Sequence, residues 1–351
     1  MEDVPSIEVQ GSEHQPTCIN CKIQPALDGY TTPLCYDCRQ RFIKYPIPKW
    51  IYGFGAAILL IMVVGLVRMP KYLSSGMSLG KAQKAIDDHR YLTAKRELRK
   101  VLKEFPDMAE ANVDMLIAAC YSLDMQTLRT VYNKVKEQNI SDADMVESLN
   151  AASLYIGKYI PDDSTITEQV EVAANDSVAG LTKLYAAVDS GSSKDKLLTE
   201  YLISDKLFDL HRYDLCDNAV GHILAADPEY YPALQLMSAV KREQKQYDSA
   251  LIYLNKVLEQ NKEDASVYAQ KAKIELKRKN DAVADGYASK AYELDPEDLT
   301  AIEAKTLSCY FKGDKQQCQK YADLLKTSTL DTARIVYKRV YPVITGQEIY
   351  R

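Results

Sequence analysis

The sequence predicts an all-α chain: a solenoid of antiparallel helix hairpins, preceded by one transmembrane helix and a small cysteine-rich head. Three observations carry this. Apolar residues recur at helical spacing from about residue 78 onward, where glycine is sparse and no polar–apolar alternation is long enough for a sheet. The same region repeats every 34 residues, because Pro228, Lys262 and Pro296 are evenly spaced and Pro106 and Ile140 lie the same distance apart. Residues 50–67, an unbroken run of 18, carry no charge.

Composition limits the chemistry. With 44 Lys+Arg against 49 Asp+Glu the net charge is -5, so no domain-wide positive field exists to hold a phosphate backbone. The aromatics are 25 Tyr, 5 Phe and 1 Trp, which suits helix surfaces that are apolar along the ring and polar at its tip. The 8 cysteines fall into two groups, Cys18, Cys21, Cys35 and Cys38 as tight pairs and Cys120, Cys216, Cys309 and Cys318 singly. Only the first group has a ligand pattern.

In chain order, residues 1–17 are polar, acidic and aperiodic, and are expected to be disordered. The head at 18–45 carries two Cys-x-x-Cys pairs separated by 13 residues. Four thiolates at about 2.3 Å from one Zn²⁺ need the chain to return once, and Asp28-Gly29 supplies a turn. Asn20 and Asp37 inside the knuckles suit left-handed backbone, and Lys22 and Arg39 can offset the negative charge of a Zn²⁺–tetrathiolate centre. So short a segment lacks room for an apolar core, and metal ligation worth about 10 to 16 kcal/mol would replace one. A redox pair would stand alone beside a βαβ pattern, and a catalytic zinc would leave an open position; the pattern favours structural zinc. The head resembles a zinc ribbon or B-box-like finger.

The span is assigned to 50–69. Its uncharged run covers about 27 Å at about 1.5 Å per residue, with Trp50, Tyr52 and Tyr72 where interfacial aromatics belong. It begins too late and is followed by too polar a flank for a cleaved signal peptide.

The tail divides into two hairpins at 78–140, an irregular helical insertion or decayed repeats at 141–196, four tandem hairpins at 197–328, and a capping helix with a short tail at 329–351. Ile140 to Pro228 is 88 residues, two periods with 20 left over, which places the break in the insertion. In the first helices a small residue recurs as Ala82, Ser204, Ser238, Ala272 and Thr306, with Leu116 as the exception. In the second helices Ala94, Cys216, Ala250, Ala284 and Cys318 repeat, with Leu128 departing. Two turns later come Val101, Val135, Ile223, Val257, Ala291 and Leu325, on the same face. His-Arg-Tyr occurs in register at 89–91 and 211–213, so His89 and His211 are read as turn residues, not catalysts.

Units such as QKQYDSALIYLNKVLEQN and HRYLTAKRELRKVLKEFP resemble tetratricopeptide repeats (TPR) over roughly 78–328. The resemblance implies a concave surface, lined by first helices, that binds peptides or partner helices. It would be lined by Tyr201, Asp205 and Phe208, then Gln235 and Arg242, then Lys273 and Lys277, then Glu303 and Tyr310. The Lys/Asn clamp by which some members hold a terminal carboxylate is not reproduced, since Tyr201 and Asp205 stand where it would begin.

The expected protein is thus a single-pass, membrane-anchored scaffold or adaptor with a zinc head, working by protein binding without catalytic turnover. The alternative is a membrane-linked sensor whose head binds nucleic acid or a signalling partner. Nucleic-acid reading is disfavoured, because residues 1–49 hold five Lys/Arg against six Asp/Glu. Reduced thiols favour a cytoplasmic head with the repeats across the membrane, on the periplasmic side if the source is bacterial. Charge counting does not decide this, since basic residues flank both ends of the span.

Overall fold

A computed structural model of the chain describes residues 15–43, 48–138, 140–161, 163, 165–176, 178–189 and 195–351. Most of the expected disordered tail, residues 1–14, and most of the loop expected at 191–195 lie outside the described residues. The chain forms two units, one ending at Pro70 and the other beginning at Lys71.

In the first unit, residues 15–35 are irregular and lead into helix α1 (Tyr36–Ile43). Gly29 makes the return turn at φ 86°, a conformation that suits a residue without Cβ. The ribbon expected from the sequence is reduced to a single bridge, Thr17 to Pro25, among the described residues. The second cysteine pair does not lie on a loop: Cys35 precedes α1 and Cys38 sits in its first turn. The left-handed knuckle residue is Lys22, at φ 55°, whereas Asp37 is helical.

Helix α2 (Lys49–Asp87) has 39 residues, and its apolar stretch has a mean hydropathy of 2.4 with none of it buried. It is long and apolar enough to cross a membrane. Pro70 stands inside it, withdrawing one backbone N–H without ending the helix. The sequence reads 50–69 and the first hairpin as separate elements; one continuous helix joins them.

The second unit is an all-α solenoid of helical hairpins. Residues 75–87 of α2 pair with α3 (Tyr91–Glu104), burying Leu79 and Ala82 with Leu98 and Val101. Then follow α4 (Ala109–Tyr121) with α5 (Met125–Lys136), α6 (Ala143–Gly157), and the short pair α7 (Ile166–Asp176) and α8 (Val178–Asp189). Four hairpins complete the array: α9 (Lys196–Asp209) with α10 (Tyr213–Ala226), α11 (Tyr231–Glu243) with α12 (Tyr247–Gln260), α13 (Ala265–Lys277) with α14 (Asp281–Leu294), and α15 (Leu299–Lys312) with α16 (Lys315–Thr327). Helix α17 (Asp331–Ile344) packs on α15 and α16. The recurrent small sites are buried throughout: Ala82, Ala94, Ser204, Cys216, Ala250, Ala272, Ala284 and Thr306 have no exposed surface. Cys216 and Cys318 are thus spacers between helices, and the Cys216 thiol bonds the Ser204 carbonyl at 3.2 Å. Asp264 and Asp298, one period apart, each cap a first helix by accepting a hydrogen bond from a backbone N–H.

Helix α6 begins 34 residues after α4 and packs against it, so the period runs on into the segment read as an insertion. The irregular part follows α6. The solenoid also touches itself, the α2–α3 turn meeting the α12–α13 turn: His89 Nδ1 lies 2.9 Å from the Glu259 carbonyl, Lys262 N–H donates to the His89 carbonyl at 2.9 Å, and Thr93 bonds Glu263 twice at 2.7 Å. A ladder of rings runs along this contact, Tyr91–Tyr121–Tyr155–Tyr159–Tyr230, with centroids 4.9 to 5.6 Å apart. The tyrosine excess in the composition has its place here.

Each inter-helix turn of the regular hairpins uses one left-handed residue. Among them are His89, Leu123, His211, Lys245, Lys279 and Gly313, of which only the last is glycine. A side chain in that region costs about 1 to 2 kcal/mol, part of which glycine would return through its freer unfolded state. Lys245→Gly and Lys279→Gly are therefore expected to stabilise the repeats by about 0.5 to 1 kcal/mol each, additively, as measured by denaturant midpoints. His89→Gly should give no such gain, because it forfeits the contact to Glu259.

Candidate functional site

Two places gather the residues singled out by the sequence. The first is the cysteine quartet. The sulfurs of Cys18, Cys21, Cys35 and Cys38 all lie within 4.8 Å of one another, and Cys21 Sγ is 3.7 Å from Cys35 Sγ. Four sulfurs about 2.3 Å from one ion would stand about 3.8 Å apart at tetrahedral corners, so the donor set fits Zn²⁺. Cys18, Cys35 and Cys38 are buried; among the described residues of the head the other buried one is Ala26. The quartet stands where a core would be. The Cys21 backbone N–H leads a set of N–H groups that draw the Cys18 thiol down to about 6. Although the Cys38 N–H acts to lower it, burial and three neighbouring thiols push Cys35 up to about 12. Such crowded sulfurs can all ionise only around a cation. Asn20 donates to Cys38 Sγ at 3.3 Å. Arg39, expected to offset the thiolates, instead donates to the Thr32 carbonyl at 2.9 Å and lies 3.6 Å from the centre of the Tyr30 ring.

The second place is the face of the first helices in the last repeats. Arg242, Lys273, Lys277 and Glu303 converge on a cavity of about 210 Å³, together with Arg339 of α17 and Tyr350. The openness expected of this face is not found. Glu303 is only 3% exposed; its carboxylate accepts from Lys273 at 2.8 Å and from Arg339 through Nε at 2.7 Å and Nη2 at 2.8 Å. Burial alone would raise this carboxyl, but the two cations outweigh it and hold it low. Lys273 is drawn down by burial, with Arg242 and Arg339 as like charges nearby.

The occupant of the groove is the chain itself. Gly346, at φ 73°, turns the backbone out of α17, and the Gln347 and Glu348 N–H groups bond the Pro342 carbonyl at 2.8 and 3.1 Å. Lys277 Nζ bonds the Tyr350 carbonyl and lies 4.2 Å from the centre of its ring. Arg351 pairs with Asp281 and stacks 4.0 Å over Phe311.

The remaining sequence candidates are elsewhere. Tyr201 is half-buried, with its ring 6.2 Å from Tyr230. Asp205 is half-buried, and burial raises its carboxyl. Phe208 packs on Tyr213 at 5.4 Å, Gln235 donates to Asp264 at 3.2 Å, and Tyr310 packs on Phe311 at 5.0 Å.

Sequence reasoning missed a third feature. Helices α2, α4 and α6 line a groove of about 470 Å³ with Asp87, Asp114, Asp144 and Glu147 beside Ile86, Ile117 and Tyr121. Projecting the 34-residue period onto 75–157 would have found it, because Gln83, Ile117 and Ala151 are successive equivalents.

No family model matches the chain, and no curated protein does. Among solved structures it is similar to PilF of Pseudomonas aeruginosa, at 13% identity and TM-score 0.32 over 80% of this chain and 100% of that one. It is similar to YrrB, a TPR protein with an unusual peptide-binding site, at 15% identity and TM-score 0.33 over 59% and 97%. It is also similar to PilW, a widely conserved type IV pilus biogenesis factor, at 13% identity and TM-score 0.32 over 75% and 97%. The class of fold, stacked helical hairpins, rests on the packing described above.

Proposed function

We propose that this chain is a membrane-anchored adaptor, whose helical-pair repeats hold polypeptide segments of partner proteins along their inner face and whose head is built on a structural zinc. One observation carries the reading: the groove formed by α11, α13 and α15 already holds a stretch of polypeptide, residues 348–351, by a main-chain hydrogen bond and by cation–π contacts. A surface that grips main chain and one aromatic side chain is suited to a partner's segment of the same kind. The exposed apolar part of α2 needs a cover, and a lipid bilayer matches its length. Thiol ligands favour a head on the reducing side of that bilayer, with the repeats on the other.

Removing residues 345–351 from the full chain should open the groove. A synthetic peptide of that sequence, TGQEIYR, is then expected to bind in trans, and to bind at least tenfold more weakly after Lys277→Ala or when its tyrosine is replaced by alanine. A truncated chain that takes up no peptide, or takes it up regardless of Lys277, would remove the basis for this reading.

A further inference from the structure

Among the described residues, the groove between α2, α4 and α6 is lined by four carboxylates and by no lysine, arginine or histidine. On α4 every residue from Ala111 to Cys120 is buried, two polar side chains among them. Asn112 is anchored through its amide nitrogen, which donates to the carbonyls of Pro106 and Met108 at 3.0 Å each, while its Oδ1 is buried without a partner. Asp114 is the acidic one and the one that lines the groove: it is 8% exposed, and its Oδ2 has no hydrogen-bond partner. Burial raises its carboxyl most; Gln83, which donates to Glu110 at 2.7 Å, acts to lower it, and the like charges of Glu110 and Asp87 act with burial. A buried carboxylate oxygen without a donor, in a field of like charge, is costly and asks for a cation.

We infer that this groove binds a basic segment of a partner polypeptide, with a lysine or arginine side chain reaching Asp114 and adjacent small or apolar residues lying on Ile86, Ile117 and Tyr121. The carboxylates are spread along three helices instead of meeting at a point; among the described residues only the cysteine quartet comes close enough to hold a metal ion. Spread charge beside apolar side chains matches an extended basic chain better than a bare ion. The inference rests on the adaptor reading for its class of ligand, but on different residues.

The test uses the full chain in a neutral detergent and a fluorescein-labelled octapeptide of alternating lysine and alanine with blocked ends, read by anisotropy. Binding is expected to weaken with salt and to fall about tenfold on Asp114→Asn. Asp87→Asn with Glu147→Gln, both at exposed positions, should flatten the salt dependence. The fold is checked separately: because burial pushes the Asp114 carboxyl up to about 6, the asparagine variant should melt no lower than the parent at pH 8. Equal binding by Asp114→Asn, equal binding of a glutamate–alanine octapeptide, or displacement by Mg²⁺ or spermine at concentrations no higher than the peptide's would overturn the inference. Lys277→Ala should leave this binding unchanged. If the octapeptide fails while TGQEIYR still binds the truncated chain, the basic-segment assignment falls and the adaptor reading stands; failure of both removes the adaptor reading.

Discussion

Stripping metal from the head with a chelator is expected to unfold residues 15–43 and leave the helical hairpins standing. Among its described residues the head has no apolar core to fall back on, since the buried side chains there are three cysteines and Ala26. Ligation worth about 10 to 16 kcal/mol would then be the whole of its stability. The repeats form a separate unit with their own clusters of buried side chains, so their melting should not move. Thiol counting reads both halves of the claim. All 8 cysteines are free of disulfides; Cys120, Cys216, Cys309 and Cys318 are buried among the helices. With metal bound, none should react quickly with a maleimide. After chelation the four of the head should react at once and the other four only on denaturation. Cys21→Ser should reproduce the chelated state, because removing one ligand opens a closed shell. A head that keeps its thiols protected after chelation, with no metal released, would show that something other than an ion holds the quartet.

Much of this arrangement was legible because it is periodic. A small residue at one depth of every first helix is forced by the close approach of neighbouring helices, and sequence shows it directly as Ala82, Ser204, Ser238, Ala272 and Thr306. The cysteine spacing was equally direct, since ligand geometry dictates it. What stayed hidden is what breaks the local rules. Pro70 reads as an end of the span, yet a helix tolerates it where only one N–H is lost. Lys245 and Lys279 give no turn signal, because their left-handed backbone is imposed by the hairpins they join. Charged residues normally mark a solvated face, so Glu303 reads as exposed; its burial depends on Arg339, 36 residues along the chain and outside the repeats. Asp114 was hidden for the same reason, a charge at a helix position that the fold encloses.

Glu303→Ala is expected to destabilise the end of the solenoid more than any other single substitution outside the head. Its carboxylate neutralises Lys273, whose side chain is 13% exposed, and takes two hydrogen bonds from Arg339. Removing one partner of a buried pair leaves the other charges without compensation and costs about 3 to 5 kcal/mol. Here the remainder would be the buried Lys273, with Arg242 close by, in a cavity shared with Tyr350; Arg339, 58% exposed, can turn to solvent. Glu303→Gln should cost less, about 2 kcal/mol, since an amide still accepts a hydrogen bond from either donor. The loss should be local, because each hairpin of a solenoid contacts only its neighbours. Hydrogen exchange should therefore quicken in α13, α15 and α17 while α4 and α6 keep their protection. The pH dependence has a definite sign. A carboxyl held below its unfolded value, about 4.3, contributes its stability above that pH and loses it as the pH falls through the lowered folded value. The gap between parent and Glu303→Ala should thus be full at pH 7 and close progressively in acid. A gap that stays unchanged as far into acid as the repeats remain folded would mean that the alanine acts through lost packing and not through lost charge.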